Sequence, residues 1–489
     1  MHRRTPAALR LLLVPALALA GCSVGPDYRK PDAAQEAPPA WKEEGPWKEA
    51  APRDAIAKGD WWTVFGDPVL DGLEKEAAAA NQNLRAAVAR VVEARAAARV
   101  AAADFFPNIT LDPAAQESHS SQNRLLPPGS GQVGYTGSTF QVPVDLSYEV
   151  DIWGRVRRSF EAYGAEAQAT VADYETVLLT LKSDVAQNYF SLRALDTELI
   201  LLVQTVELRK KARDLAKVRF QGGASSELDL AQAETELASV EAQAASVEAN
   251  RAKMEHALAV LVGKPPAAFS IAARPLDAKA VPPAIPPGLP SELLERRPDV
   301  AAAERRMAEA NAKIGVAKAA FFPVVRITGD AGFESKDIGN LLTWGSRSWG
   351  IGPSVSIPLF EGGALAANLR EAKAAYEEAA ARYRQQVLVS FGDVEDGLSG
   401  LRILAKQAEA QDRAVASAAR ADEIAQAQYK SGLVNYLQIV DTERTLLDNQ
   451  RSAAQLLGQR FVTTVLLVKA LGGGWADVVP AAQADRTPQ

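Results

Sequence analysis

The chain has 489 residues, of which 47% are hydrophobic and 23% are charged, so it is long enough for about three domains and its composition is not that of a disordered protein. A net charge of −6 and the absence of a Lys/Arg run argue against the basic surface that nucleic-acid binding requires. One cysteine and three histidines exclude a disulfide within the chain and argue against a Cys/His metal site.

Residues 1–21 predict a secretory signal peptide. Three arginines accompany an apolar stretch at 11–20, which is too short for a membrane span of about 20 residues. The Leu-Ala-Gly sequence that leads into Cys22 resembles a bacterial lipobox, in which the cysteine receives a covalent lipid and becomes the mature N-terminus. An ordinary signal peptide with a chance cysteine is the alternative, and the position of the chain's one cysteine favours lipidation. Ser23 stands where an acidic residue would retain some lipoproteins at the inner membrane, which favours the outer membrane.

Residues 22–60 predict a lipid-anchored extended segment. Prolines recur between Pro26 and Pro52, and proline fits neither a regular helix interior nor a central strand. We expect this stretch to connect the lipid to the body of the protein.

The rest of the chain predicts two tandem repeats. The sequence Phe-Phe-Pro occurs at 105–107 and again 216 residues later, and Phe220-Gln-Gly-Gly corresponds to Tyr429-Lys-Ser-Gly at an offset of 209. The boundaries predicted in this way are 61–263 for the first repeat, 264–290 for a Pro-rich linker, 291–474 for the second repeat and 475–489 for a C-terminal tail.

Each repeat predicts a helix, a strand hairpin, a long helix, a turn and a further helix. From Val171 to Val206 apolar residues recur at spacings of three and four, with one skipped position near Asn188, which is the pattern of a coiled-coil seam. A helix from about Arg155 to Arg219 would be on the order of 100 Å long. That length suits a structure that crosses the periplasm.

Hairpins at about 106–153 and 322–361 follow a two-residue period instead. Apolar residues occupy every second position from Phe140 to Ile152, and polar residues or a proline lie between them. A soluble sheet shows this alternation, and so does a transmembrane barrel with lipid outside and water inside. The runs are about the ten residues that a tilted strand needs to cross a bilayer.

Two hairpins supply four strands per chain, which are too few to close a barrel. Open strand edges are not tolerated in lipid, and the smallest closed bacterial barrels have about eight strands. Two chains would supply eight strands and three would supply twelve, and geometry alone leaves both open. An eight-stranded barrel has a lumen filled by side chains, so a conducting pore favours the larger number.

The chain also combines five short motifs: Gly-Pro-Asp-Tyr after Cys22, Trp61-Trp62, both Phe-Phe-Pro sites, Pro358-Leu-Phe-Glu-Gly-Gly363 and Lys469-Ala-Leu-Gly-Gly-Gly-Trp475. Together they resemble the TolC/OprM-type outer membrane factors, the NodT family of efflux transporter outer membrane lipoproteins, over nearly the whole mature chain. The resemblance implies a mixed, mainly α-helical homotrimer in which an α-helical barrel carries a 12-stranded transmembrane β-barrel with four strands per chain. It also implies contact with outer-membrane lipid, with a periplasmic adaptor (membrane fusion) protein and with an inner-membrane transporter of the resistance-nodulation-division (RND) type.

The turns between the two later helices of each repeat hold the candidate adaptor-contacting residues Phe220, Gly222, Gly223, Tyr429 and Gly432. Glycine there supplies the left-handed conformation that ends a helix, so a plain helix–turn–helix connection accounts for it. The resemblance adds that these periplasmic tips contact the adaptor's hairpins. We expect both interpretations to hold.

Leu437, Asp441 and Arg444 are the candidate periplasmic gate. Their spacings of four and three put them on one helix face, and the resemblance implies that they line the constricted periplasmic end. In a trimer they would form rings of Leu, Asp and Arg, and the charged rings would hold the closed state through pairs within or between protomers. A solvated ion pair worth roughly a few tenths of a kcal/mol is the alternative. The first repeat carries Leu228 and Glu234 nearby, without this charge pattern.

The sequence therefore predicts a passive exit duct of a tripartite efflux pump, located in the outer membrane and carrying small molecules. We expect no catalysis and no cofactor or metal apart from the lipid on Cys22, because no nucleophile elbow or Walker loop is present. One alternative keeps the duct but assigns it to a type I protein secretion system. Another is a periplasmic coiled-coil adaptor without a pore, and the alternating strand segments argue against it.

Overall fold

The computed structural model describes residues 23–30, 40–43, 60–121, 135–285 and 296–473. The chain is mainly helical (69%) with a small sheet, which confirms the expected fold class at this level. Cys22, the predicted lipidation site, lies outside the described residues. The described residues divide between a sheet unit, within Met1–Pro31, Val91–Thr170 and Ala303–Tyr383, and a helical unit, within Asp32–Arg90, Val171–Ala302 and Arg384–Gln489.

Long helices account for most of the chain that the structure describes. The two longest helices have 67 residues each, and the helix that follows each of them has 35. No helix among the described residues is both long and apolar enough to span a membrane. The helices are α1 (Pro68–Ala80), α2 (Gln82–Ala103), α3 (Arg155–Gln221), α4 (Glu227–Leu261), α5 (Pro298–Ala319), α6 (Ala364–Lys430) and α7 (Tyr436–Ala470).

The strands are fewer and shorter, and all of them belong to the sheet unit. Short 3₁₀ turns at Ile338–Asn340 and Trp344–Ser346 lie in the connection between the last two strands. The strands are β1 (Asn108–Leu111), β2 (Ala114–Ser120), β3 (Tyr135–Val150), β4 (Val324–Ser335) and β5 (Arg347–Ser356).

Local sequence determines where the first helices begin. The side chain of Asp67 accepts a hydrogen bond from the Val69 N–H at 2.9 Å, and Pro68 occupies the first helical position, where no N–H is needed. Asn81 separates α1 from α2 and accepts from the Leu84 N–H at 3.0 Å. Each such cap is worth about 1 kcal/mol of helix stability.

The sheet has four strand positions, because β1 and β2 pair with successive stretches of β3. Leu111 pairs with Val144 and Ala114 pairs with Gln141, so the register continues across the gap between the two short strands. Pro113 lies in this gap and has no N–H to donate, which interrupts the ladder without shifting its register. β4 and β5 follow in antiparallel order, which gives the sequence β1/β2–β3–β4–β5.

Across β1, β4, β5 and residues 142–150 of β3, the register sorts the side chains into a polar face and an apolar face. On β2, Glu117 and His119 lie on the side of the apolar face. Asp145 lies opposite Thr110 of β1 and opposite Asp330 of β4, and successive residues of a strand alternate between faces. The polar face also carries Asn108, Ser147, Glu149, Arg326, Thr328, Gly350 and Ser354. The apolar face carries Ile109, Leu111, Val144, Leu146, Tyr148, Val325, Ile327, Ala331, Phe333, Trp349, Ile351 and Val355.

An aromatic cluster forms the core of the helical unit. Trp61 is fully buried, Phe65 lies 4.8 Å from Phe190 between ring centroids, and Phe190 stacks on Phe461 at 4.7 Å. Each large apolar side chain that is buried in this way contributes roughly 1.5–3 kcal/mol. The same cluster includes Leu70, Leu192, Leu258, Leu398, Val465 and Leu467.

Glu74 of α1 is a polar exception within this core. Its side chain is fully buried, and neither carboxylate oxygen accepts a hydrogen bond from the part of the chain that the structure describes. Burial raises its pKa to about 9, although Lys182 lowers it in part. Burial therefore favours the uncharged form of the Glu74 carboxyl.

The described part of the predicted linker is held in place by Asp196 of α3. The Asp196 carboxylate accepts from the Arg274 N–H at 2.9 Å and pairs with Arg251 of α4 at 2.6 Å. Arg193 pairs with the same carboxylate at 2.8 Å and donates to a linker carbonyl at 2.7 Å. Since Asp196 is buried, this network makes the linker residues around 272–274 a fixed part of the helical unit.

Candidate functional site

The turn between α3 and α4 ends the first long helix with a glycine. Gly223 has a φ of 74°, and its N–H donates to the Phe220 carbonyl at 2.9 Å. Only glycine adopts this left-handed conformation at little cost. Ser226 and Asp229 then form a capping box at the start of α4, because each side chain accepts from the other residue's N–H at 3.3 Å.

The turn between α6 and α7 repeats this plan with different side chains. Gly432 has a φ of 72°, and its N–H donates to the Tyr429 carbonyl at 2.9 Å. The side chain of Asn435 accepts from the Gln438 N–H at 3.2 Å and begins α7. The structure therefore gives Gly223 and Gly432 the left-handed conformation that ends a helix, whereas Gly222, the other predicted turn glycine, has no positive φ.

Side chains join the two turns. The Arg219 guanidinium donates to the Tyr429 hydroxyl at 2.9 Å and lies 5.7 Å from the centroid of its ring. The Tyr429 and Tyr436 ring centroids are 6.1 Å apart. Phe220 and Leu433 remain 39% and 75% exposed, so the joined turns present apolar surface to solvent in the single chain.

The three candidate gate residues lie near the start of α7 and are all exposed in the single chain. Leu437 is 55% exposed, and the Arg444 side chain is 58% exposed. Arg444 donates to Glu236 of α4, whose side chain is only 12% exposed. Within the described residues Asp441 forms no ion pair, whereas Arg444 pairs with Glu236 of the same chain.

Glu443, next to Arg444 on α7, forms a second ion pair with the first hairpin. Its carboxylate lies 2.6 Å from Arg209 of α3, and the Arg209 side chain is 3% exposed. Burial raises the pKa of Glu443, while Arg209 lowers it to a smaller extent. Two adjacent residues of opposite charge on α7 thus pair with complementary charges on α3 and α4.

A third contact lies further along the same helices. Arg451 of α7 pairs with Glu198 of α3 at 2.6 Å and donates to Gln243 of α4 at 2.7 Å. Gln455 donates to the second oxygen of Glu198 at 3.1 Å. The Glu198 side chain is 3% exposed, so this buried carboxylate depends on α7 for its counter-charge.

Sequence reasoning missed Glu236, Arg209 and Glu198 as partners of α7. The pairs Arg444–Glu236 and Arg451–Glu198 join residues that are 208 and 253 positions apart. Sequence spacing predicts contacts between neighbouring turns of one helix, not between residues this far apart. The one local signal is charge among the apolar residues of a coiled-coil seam, where an ionised group must find a partner.

The residues that directly follow Cys22 are held against α3 and α5 within the sheet unit. The Val24 N–H donates to the Trp153 carbonyl, and Asn311 donates to the Pro26 carbonyl, both at 2.9 Å. Asp27 pairs with Arg158 of α3. The Gly-Pro-Asp-Tyr motif therefore forms specific contacts, which fix this part of the predicted tether.

Comparison with known proteins places these features in a family. Residues 73–264 and 289–473 match the model of the outer membrane efflux protein family. The outer membrane protein OprJ of Pseudomonas aeruginosa is 33% identical, over 96% of this chain and 97% of that protein. The cation efflux system protein CusC of Escherichia coli is 31% identical, over 94% and 97% of the two chains.

Solved structures agree with the sequence relatives. The outer-membrane channel OprN superposes with a TM-score of 0.85 at 31% identity, over 93% of this chain and all of that one. The outer membrane channel CmeC of Campylobacter jejuni gives a TM-score of 0.85 at 26% identity, over 94% and 96%. These findings confirm the expected efflux function and outer-membrane location, and they contradict the adaptor alternative. The chain belongs to the outer membrane efflux protein family and is an outer-membrane efflux channel.

Proposed function

We propose that three copies of this chain form the exit duct of a tripartite efflux pump. The observation that carries the proposal is a sheet of four strand positions with one apolar and one polar face. Both edges of this sheet would face lipid in a single chain, where unpaired backbone groups cost several kcal/mol each (about 2–7). Three copies supply twelve strands, which closes the wall and leaves an aqueous lumen.

The two faces of the sheet suit this arrangement. Trp349 and Ile351 on the apolar face are 75% and 72% exposed, which is costly in water and favourable in lipid. On the opposite face Glu149 pairs with Arg155 at 2.6 Å, and Asp145, Asp330 and Thr328 would line the lumen. The proposal assigns the apolar face to the bilayer and the polar face to water.

The helices would form the periplasmic part of the duct. The helix pair α3–α4 and the pair α6–α7 have matching lengths of 67 and 35 residues, which supports two tandem structural repeats. Three copies would contribute six such hairpins to an α-helical barrel. The exposed tip residues Phe220, Gly222, Gly223, Tyr429 and Gly432 would contact a periplasmic adaptor, which connects the duct to an inner-membrane RND-type transporter.

A lipid on Cys22 would anchor the chain beside the sheet. Ser23, the next residue, approaches Gly154 so closely that a Cβ added to this glycine would lie 2.8 Å from the Ser23 Cβ. Gly154 stands between the end of β3 and the start of α3. The acyl chains would therefore emerge where the lipid-facing sheet gives way to helix, which is the level of a membrane surface.

The gate would lie at the tip end of α7. Around a threefold axis, Leu437 would narrow the aperture by packing, and Asp441 and Arg444 would form charged rings. The pairs Arg444–Glu236 and Glu443–Arg209 would hold α7 against the first hairpin in the closed state. The duct itself would be passive, without catalysis or cofactor, and its partners would supply the energy.

Single-channel recording tests this proposal. Replacing both Asp441 and Arg444 with alanine removes the charged rings and the contact to Glu236, and we expect a roughly two- to five-fold rise in resting ion current, as about 0.5–1 kcal/mol of partly solvated pairing implies. Arg420 and Glu423 form an exposed pair on α6 and serve as the matched control, since their double alanine variant should conduct like the wild type. Unchanged current in the gate variant would refute the gate, and a monomer after chemical cross-linking would refute the duct.

A further inference from the structure

Arg347 is a charged residue on the apolar face of the sheet. It is the first residue of β5 and lies opposite Phe333 of β4, whose side chain belongs to that face. The alternation along β5 then puts Trp349 and Ile351 on the same side. An arginine among exposed apolar side chains needs a specific partner, because an unpaired charge is costly away from water.

Its partner in the structure is an aromatic ring and not a carboxylate. The Arg347 guanidinium lies 3.9 Å from the centroid of Trp344, a close cation–π contact. Among the described residues no Asp or Glu lies within ion-pair distance of it, whereas Arg326 on the opposite face pairs with Glu149. In the sequence, residues 122–134, between β2 and β3, include no Asp or Glu.

Apolar side chains close to this arginine in the sequence are exposed. Trp344 is 79% exposed, Leu342 is 75% exposed and Ile338 is 67% exposed, and all three belong to the β4–β5 connection. Trp349, at 75%, continues the exposed surface along β5. Aromatic residues are typical of the two rims of a transmembrane barrel, where apolar surface meets the headgroups of the lipids.

The order of the strands and helices shows at which of the two barrel rims Arg347 would lie. β3 leads into α3 and β5 leads into α6 at one end of the sheet, so the helices begin there. Arg347 starts β5 at the opposite end. If the helices extend into the periplasm, as the proposed function requires, then Arg347 lies at the rim that faces the outside of the cell.

We propose that Arg347, held over Trp344, binds the phosphate of an acylated lipid headgroup in the outer leaflet. Within the described residues its guanidinium donates no hydrogen bond. Its donors are arranged to contact phosphate oxygens in pairs, and stacking on the ring leaves its edges available. Trp344, Leu342 and Trp349 supply apolar contact for the acyl chains. This assignment rests on the proposed function, which puts the Arg347 end of the sheet at the outer face of the membrane.

Lipid titration of the purified protein in detergent tests the assignment. Native mass spectrometry measures retention of diphosphoryl lipid A, with its dephosphorylated form and inorganic phosphate as comparison probes. We expect Arg347→Gln to weaken binding of the phosphorylated lipid about five-fold per site, the effect of one basic residue at a membrane surface. Binding of the dephosphorylated lipid should not change. Arg326→Gln is the matched control, since it removes an arginine from the opposite face of the same sheet.

Three results would overturn the assignment: equal affinity of Arg347→Gln and wild type, equal losses for both lipids, or competition by inorganic phosphate as strong as that of the lipid. Cross-linking and conductance are measured on the same preparation. A wild-type protein that forms no trimeric pore would refute the proposed duct. If the wild type forms the pore but the lipid-binding predictions fail, only the assignment of Arg347 is refuted.

Discussion

The helical hairpins α3–α4 and α6–α7 have equal helix lengths and equivalent turn glycines, but their charged side chains differ. In the second hairpin, α7 carries Glu443, Arg444 and Arg451, and each of them pairs with the first hairpin. At the offset of 209 residues, the positions that correspond to Arg444 and Arg451 hold Thr235 and Ala242 in α4.

The acceptor positions differ in the same way. Glu198 and Glu236 of the first hairpin correspond to Gln407 and Thr445 of the second. The same backbone plan therefore supports two roles: the first hairpin carries buried or nearly buried counter-charges, and α7 of the second hairpin carries the side chains that reach them. A motion of α7 would break all three pairs, whereas the one corresponding charge in α4, Glu234 at the position of Glu443, forms no ion pair within the described residues. The comparison makes three predictions, from the largest expected effect to the smallest.

Glu198→Ala is expected to have the largest effect. It leaves Arg451 partly buried without its carboxylate, and losing one partner of a buried pair costs about 3–5 kcal/mol. The thermal unfolding midpoint of the purified protein in detergent measures this loss of stability. Gln407→Ala changes the corresponding exposed position of α6 and should alter stability by less than about 0.5 kcal/mol. Equal losses of stability for Glu198→Ala and Gln407→Ala would mean that the two hairpins do not differ in their buried counter-charges.

The turn glycines should respond alike in both hairpins. Alanine at Gly223 or Gly432 must adopt a φ of 74° or 72°, which costs roughly 1–2 kcal/mol. Gly222 is the matched control, because its φ is not positive and an added Cβ would meet the Val218 carbonyl oxygen at an ordinary 3.4 Å. Chemical unfolding measures all three variants. A loss at Gly222 as large as that at Gly223 would contradict the conformational argument.

Glu443 should make stability depend weakly on pH. Burial, together with nearby Asp422 and Glu236, raises its pKa, and Arg209 opposes this shift. Because the folded state favours the protonated form, this group stabilises the fold as pH falls through the raised pKa, and the gain is lost as pH rises. The thermal unfolding midpoint should therefore change less between pH 5 and pH 8 in Glu443→Gln than in the wild type. Arg209→Met removes the charge that lowers the pKa of Glu443, so it should enlarge the change in midpoint between pH 5 and pH 8. A smaller change than in the wild type would contradict the proposed direction of the effect.

Features set by neighbouring residues were predictable. The two-residue period around Phe140 marks β3, and the seam from Val171 to Val206 marks α3, since side-chain direction along a helix or strand follows local geometry. The glycines at 223 and 432 were expected to end helices, and both have positive φ. The interruption at Pro113 has an equally local cause, because proline donates no hydrogen bond.

Contacts between distant segments required the tertiary structure. Sequence spacing put Asp441 and Arg444 on one face of α7 but could not indicate that Arg444 pairs with Glu236, 208 positions away. The cation–π contact of Arg347 and the raised pKa of Glu74 likewise depend on how side chains meet in space. By itself, the sequence determined which segments are helix, strand and turn and which face of each is apolar, because those properties follow from local periodicity. Only the tertiary structure decided the partner of each charge, because electrostatic pairing depends on distances that chain packing sets.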